Sequence, residues 1–118
     1  MMILVGYWGS PFARRVGVAM KLLGMPFELR ATAPSTHGPA LRQMNPVGRV
    51  PALVLDDGEV LIDSAMILDH LDELVGPDRA LTPPGGPARR RCNRLVALAL
   101  GACGKYVASY YEASKRPP

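Results

Sequence analysis

The stretch ILVGYWGSPFARRVGVAMKLLG, residues 3–24, joins a short apolar run to an amphipathic helix and decides the fold. Ile3–Tyr7 predicts a strand, because a short apolar run that ends in turn residues is typical of a buried strand. Ser10 and Pro11 predict a helix start, with serine as the N-cap and proline in the first turn. Apolar residues then recur at helical spacing as far as Gly24, where we expect the helix to end. The stretch therefore predicts a β-α unit with a serine hydroxyl at its junction.

The next fifty residues predict short elements separated by turn signals. In chain order we expect a strand at Phe27–Ala31, a loop at 32–39, a short helix at 40–44, strands at 52–55 and 60–62, and a helix from Ser64. The Asp57-Gly58 pair between the last two strands is a hairpin signal. The predicted fold class is α/β with the order β-α-β-α-β-β-α, and its first half is a βαβ unit with parallel strands.

The last forty residues differ from the rest in composition. Gly76–Pro87 contains four prolines and three glycines, so we assign 1–78 to one domain and 79–87 to a linker. From Leu95 to Tyr110, apolar residues form one stripe along a predicted helix. We expect 88–118 to be the first helix of an all-α domain whose remainder is absent, and we expect the uncovered stripe to favour self-association.

Composition and charge narrow the function classes. The chain is 48% hydrophobic, and no apolar run approaches the roughly 18 residues that span a bilayer, so we expect no membrane partner. Residues 1–78 hold six Lys/Arg against nine Asp/Glu, a net charge of −3, whereas residues 79–118 hold eight against one, a net of +7. No nucleic-acid-binding motif accompanies the basic end, so no nucleic acid is expected. The two cysteines have no CxxC or metal-ligand neighbours, which favours a metal-free protein of the reducing cytoplasm.

Ser10 is the first candidate for chemistry. A hydroxyl at the start of a helix faces unpaired backbone N–H groups and the positive end of the helix dipole. An anion is favoured there, and a thiolate that accepts a hydrogen bond from this hydroxyl would have a lowered pKa. Taken alone, the same residue is explained as a plain N-cap.

Two further segments suggest a peptide-like ligand. Pro51, which precedes a strand, is a candidate for a cis peptide bond that leaves the backbone of Val50 free to pair with an extended ligand; a trans turn is the alternative. Asp63 and Ser64 begin a helix, where N–H groups can hold a carboxylate and Asp63 can hold an ammonium. A simple capping arrangement explains the second segment equally well.

Together these segments resemble a known family. Tyr-Trp-x-Ser-Pro-Phe-x-x-Arg-Val at 7–16, followed by Gly-x-Pro-Phe-Glu at 24–28, is similar to the plant tau class of glutathione transferases. The zeta class is also similar, but its Ser-Ser-Cys element is missing here. The resemblance covers residues 3–81 closely and implies a thioredoxin-like fold that binds glutathione, followed by the start of an all-α domain.

The resemblance also implies roles for individual residues. Ser10 would stabilise the glutathione thiolate, and Tyr7 is the alternative, because other classes use a tyrosine near the end of the first strand. The resemblance assigns the remaining contacts as follows: Val50, before a cis Pro51, to the cysteinyl backbone; Asp63 and Ser64 to the γ-glutamyl end; and Arg49 to a basic position near the glycyl carboxylate. His37 falls at a glutathione-binding position where similar proteins often have a lysine.

The expected activity is conjugation of the glutathione thiolate to a hydrophobic electrophile, by a cytoplasmic homodimeric detoxification enzyme with glutathione as co-substrate and no metal. One alternative is a glutathione-dependent disulfide or peroxide reductase, although position 10 is serine and no cysteine precedes Cys92. The other alternative is a non-enzymatic interaction module with the same fold. Since the family lines its electrophile pocket largely with the helical domain, we expect weak or no turnover from these 118 residues.

Overall fold

Residues 1–117 are described by a computed structural model, in which they form four strands and four helices. The elements are β1 Met2–Gly6, α1 Pro11–Leu22, β2 Phe27–Ala31, α2 Pro34–Met44, β3 Ala52–Val54, β4 Val60–Ile62, α3 Ser64–Val75 and α4 Gly86–Lys115. The chain divides into two compact units, Met1–Leu81 and Thr82–Pro118. The first seven elements belong to the first unit, and α4 belongs to the second.

The four strands form one mixed sheet in the order β2-β1-β3-β4. β1 and β2 are parallel, as the predicted βαβ unit requires, whereas β3 runs antiparallel to both β1 and β4. Leu4 pairs with Leu53, and Val5 pairs with Ala52. Because neighbouring residues on a strand point to opposite faces, these two pairs supply one buried layer on each side of the sheet.

Helices cover both faces of the sheet. On one face, Leu4 and Leu53 pack with buried residues of α1 and α3, among them Met20 and Ile67. On the other face, Leu41 of α2 packs with residues of β1 and β3. This α/β arrangement in the order β-α-β-α-β-β-α is the thioredoxin-like fold that the sequence predicts.

The segment 32–39 corrects one expectation. We predicted a loop there, but α2 already begins at Pro34 and continues to Met44. His37 has non-helical dihedrals (φ −123°, ψ 23°), so α2 consists of two short helical segments joined at a kink. Pro39 therefore lies in the first turn of the second segment, where no intrahelical bond from its missing N–H is required.

In the second unit, α4 is a single long helix, and it includes the apolar stripe that we predicted. Leu95 and Tyr106 are each 68% exposed, and Tyr110 is exposed as well. Cys92 and Cys103 are free and half-buried. None of the helices in residues 1–117 combines the length and the apolar character that crossing a membrane requires. The assignment of residues 88–118 to a second, helical domain stays a prediction.

A glycine in the middle of α1 makes room for the one tryptophan of the chain. A Cβ atom on Gly17 would lie 2.4 and 2.5 Å from two ring carbons of Trp8. The ring is held in place by Phe27 at a centroid distance of 6.4 Å, and Lys21 lies 5.9 Å from the ring centroid. We expect Gly17→Ala to lower the free energy of unfolding by up to about 2 kcal/mol, because an overpacking cost of about 1–3 kcal/mol is only partly offset by a gain of roughly 1 kcal/mol in helix propensity.

Gly101 of α4 offers a matched control for that substitution. No heavy atom lies within 4 Å of the position that its Cβ would take, so Gly101→Ala should give the propensity gain alone. Thermal unfolding followed by circular dichroism measures both variants. Equal shifts of the melting temperature for the two variants would contradict the clash at Trp8.

Candidate functional site

Ser10 lies at the junction of β1 and α1, where the sequence places it. It is the N-cap of α1, and its Oγ accepts a hydrogen bond from the Ala13 N–H at 3.2 Å. Pro11 follows in the first turn, and no acidic residue lies in that turn to compensate the helix dipole. The side chain is buried, with 6% of its surface exposed. Because the Oγ is an acceptor toward Ala13, its own proton is available to an acceptor in front of the helix.

The loop before Ser10 is held in one conformation. The guanidinium of Arg14 donates two hydrogen bonds to the Trp8 carbonyl, at 3.0 and 2.6 Å. The Ser10 N–H donates to the Tyr7 carbonyl at 3.0 Å. The Tyr7 ring lies across Gly9, since a Cβ on Gly9 would be 2.7 Å from a ring carbon. These contacts keep the serine at the helix start and turn the Tyr7 ring toward the loop backbone.

Gly6, at the end of β1, is the point where two parts of the predicted site converge. A Cβ on Gly6 would lie 2.8 Å from the Ala13 Cβ, 3.7 Å from the Val50 Cβ and 3.9 Å from the Pro51 Cα. A glycine is required for α1 to approach the strand this closely at Ala13, whereas the distances to Val50 and Pro51 are ordinary van der Waals contacts. The Val50–Pro51 peptide bond is cis, as the sequence suggests.

The loop that leads to Val50 is organised by Asn45, which sequence analysis did not identify as important. The Asn45 side chain is buried; its Nδ2 donates to the Arg49 carbonyl, and its Oδ1 accepts from the Val47 N–H, both at 3.0 Å. The Gly48 N–H also donates to the Asn45 carbonyl at 2.8 Å. The Asn-Pro pair marks only a helix end in the sequence, whereas the side-chain bonds depend on the folded loop.

Asp63 and Ser64 form the start of α3, as predicted. Asp63 is the N-cap, and its Oδ1 accepts from the Ala65 N–H at 2.9 Å. Its φ of 71° makes it the one residue other than glycine with positive φ within residues 1–117. Such a conformation costs energy and is found most often where a side chain or backbone group must be presented at a site. The buried Ser64 hydroxyl accepts a hydrogen bond from Arg15 Nη1 at 3.2 Å.

The two basic residues of the prediction lie on α2 and on the loop that follows it. His37 is at the kink of α2, where its Nδ1 accepts from the Ala33 N–H at 3.1 Å and lies 2.8 Å from the Thr36 Oγ1. The Arg49 side chain is exposed. Within the described part of the chain, no hydrogen bond or ion pair joins the side chains of these two residues to the rest of the predicted site.

Arg42 is a third basic residue in this region, and sequence analysis missed it. Its Nη1 is 3.6 Å from the position of a Cβ on Gly38, and its Cγ and Nε are 3.5 Å from that on Gly48. The side chain therefore runs from the loop that carries Arg49 toward the kink at His37. Segment 32–55 contains no Asp or Glu, so its positive charges are not compensated within it.

The arrangement brings the three predicted site segments close together in the first unit. Gly6 joins the Ser10 helix to Val50–Pro51, and the Arg15–Ser64 bond joins the same helix to α3. Two helix N-termini thus carry buried serine hydroxyls, which suit anionic groups of a ligand. Among residues 1–117, no three His, Cys, Asp or Glu side chains lie close enough together to hold a metal ion.

Comparison with known proteins assigns the chain to a family. The sequence profile of the glutathione S-transferase N-terminal domain matches residues 4–79. This is a thioredoxin-like domain, and the chain belongs to the glutathione S-transferase family.

Two curated relatives illustrate the range of the similarity. The chain is 43% identical over 72 residues to glutathione S-transferase U4 of Arabidopsis thaliana. This alignment covers 60% of this chain and 32% of the relative. It is 38% identical over 105 residues to a maleylacetoacetate isomerase of Pseudomonas aeruginosa, covering 85% of this chain and 49% of the relative. The chain thus spans between about a third and a half of these two proteins.

Solved structures give the same assignment. A glutathione transferase family member from Pseudomonas fluorescens Pf-5, crystallised with bound glutathione, superposes with a TM-score of 0.90 at 40% identity. The superposition covers all of this chain and 59% of that protein. A glutathione S-transferase from Methylobacterium radiotolerans in complex with glutathione sulfonate superposes with a TM-score of 0.88 at 31% identity, over 98% of this chain and 54% of that protein.

Proposed function

We propose that the first unit binds glutathione and that the whole protein conjugates the glutathione thiolate to an electrophilic small molecule. The observation that carries the proposal is the geometry of Ser10. Its Oγ accepts from the Ala13 N–H, so the remaining hydroxyl proton can be donated to a sulfur in front of α1. Family membership and the glutathione bound to the Pseudomonas fluorescens relative support the choice of ligand.

The thiol of the central cysteinyl residue of glutathione is proposed to lie at Ser10. A thiolate there accepts a charge-assisted hydrogen bond and faces the positive end of the α1 dipole. Both interactions favour the charged form, so the pKa of the bound thiol falls below its usual range. The thiolate then attacks the electrophile: a carbon–sulfur bond forms with the sulfur electron pair, and either a leaving group departs or the electrophile takes up a proton. The protein contributes charge stabilisation and positioning.

The backbone and the two ends of the tripeptide are proposed to contact groups of complementary charge or hydrogen-bonding character. The Val50 backbone pairs with the cysteinyl part, while Asp63 takes the γ-glutamyl ammonium and Ser64 takes the α-carboxylate. The glycyl carboxylate lies toward His37 and Arg49. Arg42 adds a further positive charge between those two residues, in a segment without acidic residues.

The wider role is proposed at the level of the family. The electrophile is expected to be hydrophobic, and the functional assembly a homodimer that acts in the cytoplasm in detoxification. Exposed apolar residues of α4, such as Leu95 and Tyr106, are consistent with a helix that packs against further protein. The identity of the electrophile depends on the part of the family fold beyond the unit that carries Ser10.

Calorimetric titration with glutathione tests the proposed ligand. We expect binding accompanied by proton release, detected by repeating the titration in buffers of different ionisation enthalpy, because the thiol ionises when it binds. The analogue with 2-aminobutyrate in place of cysteine lacks the thiol and should bind without proton release. Absence of binding heat and of any thermal shift with glutathione would favour the interaction module instead.

Asp63→Asn provides a check on the location of the site. Asparagine caps helices as well as aspartate does and tolerates positive φ, so the melting temperature should stay unchanged. Loss of the charge should weaken glutathione binding about twofold to fivefold, as expected for an exposed ion pair. Glutaryl-cysteinylglycine, which lacks the ammonium, should bind both proteins equally. Equal weakening of the two ligands would contradict the proposed contact.

A further inference from the structure

One arginine side chain holds the turn that leads into the proposed thiol site. Residues 7–10 form this turn, which is closed by the hydrogen bond from the Ser10 N–H to the Tyr7 carbonyl at 3.0 Å. Arg14, one helical turn after Ser10, reaches back and donates from Nε and Nη2 to the Trp8 carbonyl, at 3.0 and 2.6 Å. Two charge-assisted donors on one oxygen fix the direction of the peptide bond between Trp8 and Gly9.

That peptide bond has a second direction, which the local sequence permits. Neither Trp8 nor Gly9 has positive φ, so the hydrogen-bonded turn has the type I arrangement. A type II turn differs from it by rotation of the central peptide and needs positive φ at the third residue, where glycine is favoured. Gly9 is that third residue. The sequence therefore leaves the type II turn accessible, and the two bonds from Arg14 select the type I turn.

The position of Arg14 is unfavourable for the helix itself. A cation near the start of a helix opposes the macrodipole, and no acidic residue in the first turn of α1 compensates it. The Arg14 side chain is exposed, so solvent reduces this cost, and the two bonds to the Trp8 carbonyl offset it. The start of α1 thus carries a surplus of positive charge, which suits an anion bound in front of it.

We propose that Arg14 is a positioning residue that keeps the Trp8–Gly9 peptide dipole from opposing the α1 dipole at the bound thiolate. The proposal rests on the proposed glutathione site. A peptide unit has a dipole of about 3.5 D, so rotation of this peptide would reverse a local field two residues before Ser10. While the guanidinium holds the Trp8 oxygen, the partial negative charge of that oxygen is neutralised, and the helix start favours a charged sulfur. Arg14 acts through the turn and does not contact the ligand.

Two ligands test the proposal on Arg14→Met: glutathione, and its 2-aminobutyrate analogue, which lacks the thiol. We expect the ratio of bound thiolate to bound thiol, measured by ultraviolet absorbance at one pH, to fall about threefold to tenfold in the variant. The analogue should bind the variant and the unaltered chain equally, because it has no sulfur to ionise. An unchanged thiolate ratio, or equal weakening of both ligands, would overturn the proposal.

Salt separates the orientation of the turn from a direct effect of the arginine charge. At an ionic strength of about 1 M the Debye length is about 3 Å, so the attraction of an exposed charge for the thiolate is screened. The direction of a peptide bond beside the site does not depend on salt in this way. The loss in Arg14→Met should therefore persist, and a loss that disappears in salt would overturn the proposal. Lys21→Met is the matched control: it removes a charge from the same helix, near the Trp8 ring, and should leave the thiolate ratio unchanged.

The chain without ligand gives an independent measurement of the turn. In nuclear magnetic resonance, the couplings between the amide proton and the two α protons of Gly9 report its φ. We expect negative φ in the unaltered chain and a population with positive φ in Arg14→Met; negative φ alone in both proteins would overturn the proposal. If the unaltered chain binds neither ligand, the proposed function itself fails, and the role of Arg14 at the thiolate fails with it, whatever the couplings of Gly9 show.

Discussion

Ser10→Ala is expected to abolish most of the thiolate in the glutathione complex. The substitution removes the only side-chain donor that we assign to the sulfur and leaves the helix dipole alone to stabilise the charge. A hydrogen bond to a charged group contributes about 1.5–3 kcal/mol, so the ratio of thiolate to thiol should fall roughly tenfold to a hundredfold. The pKa of the bound thiol then rises back toward its usual range.

Thiolate absorbance in the ultraviolet, followed against pH, measures this effect. Because the bound thiol has the lower pKa, binding to the unaltered chain releases a proton, and affinity should increase with pH until the free thiol ionises. Ser10→Ala should flatten this dependence. Ser10→Thr keeps both the cap and the hydroxyl, and it should retain the thiolate. An unchanged pH profile in the alanine variant would favour Tyr7 as the activating hydroxyl.

Ser10→Ala also removes the N-cap hydrogen bond from the Ala13 N–H, which lowers the stability of the fold. N-cap substitutions of this kind lower stability by about 0.5–2 kcal/mol. The two consequences are separable, since a cap affects the melting temperature at any pH, whereas the donor affects only the bound thiol. Titrations well below the melting temperature therefore report the second effect alone.

Ile67→Ala is expected to have the largest effect on stability among the substitutions considered. Ile67 is fully buried one turn after the start of α3, in the cluster that includes Leu4, Leu53 and Leu71. Truncation of a buried isoleucine costs about 2–5 kcal/mol, through lost burial and the cavity that remains. For a unit of this size the loss is a large fraction of the total stability. It also weakens the anchoring of α3, whose first turn presents Ser64.

Met66→Ala is the matched control, because the two residues are neighbours on the same helix. Met66 is 61% exposed, so its truncation should change the free energy of unfolding by less than about 0.5 kcal/mol. Denaturant unfolding of both variants gives the comparison. Similar losses for Ile67→Ala and Met66→Ala would contradict the packing of α3 against the sheet.

Most elements of the first unit were predictable because their signals are local. The strands at Phe27–Ala31 and Val60–Ile62 have the predicted bounds, and both site helices begin where a serine or aspartate and the following residues indicate. Capping and periodicity act within a few residues, so a sequence window contains the whole cause. The prediction for 32–39 was wrong for the same reason: its proline and glycine content favours a loop, while the kink at His37 places Pro39 in a new first turn.

The residues of the candidate site also divide into those that local sequence identifies and those that only the folded structure reveals. Ser10, Asp63 and Ser64 were identifiable from the residues around them, because a helix N-terminus has the same chemistry in any fold. The roles of Arg15 and Arg42 were not. Arg15 reaches Ser64 across 49 residues, so this contact does not exist until the chain is packed. Arg42 contacts positions only four and six residues away, Gly38 and Gly48, but its placement depends on the kink of α2, which the sequence analysis did not predict.

By itself, the sequence determined that a serine begins the helix after the first strand, that a hairpin and a capped helix follow, and that the chain resembles the glutathione transferases. The tertiary structure alone decided how these parts meet. Gly6 lets the start of α1 approach β1, the Val50–Pro51 segment lies beside the same glycine, and Arg15 joins α1 to α3. The physical reason is range: caps and turns are satisfied by neighbours in the chain, whereas a ligand site needs groups that only packing brings together.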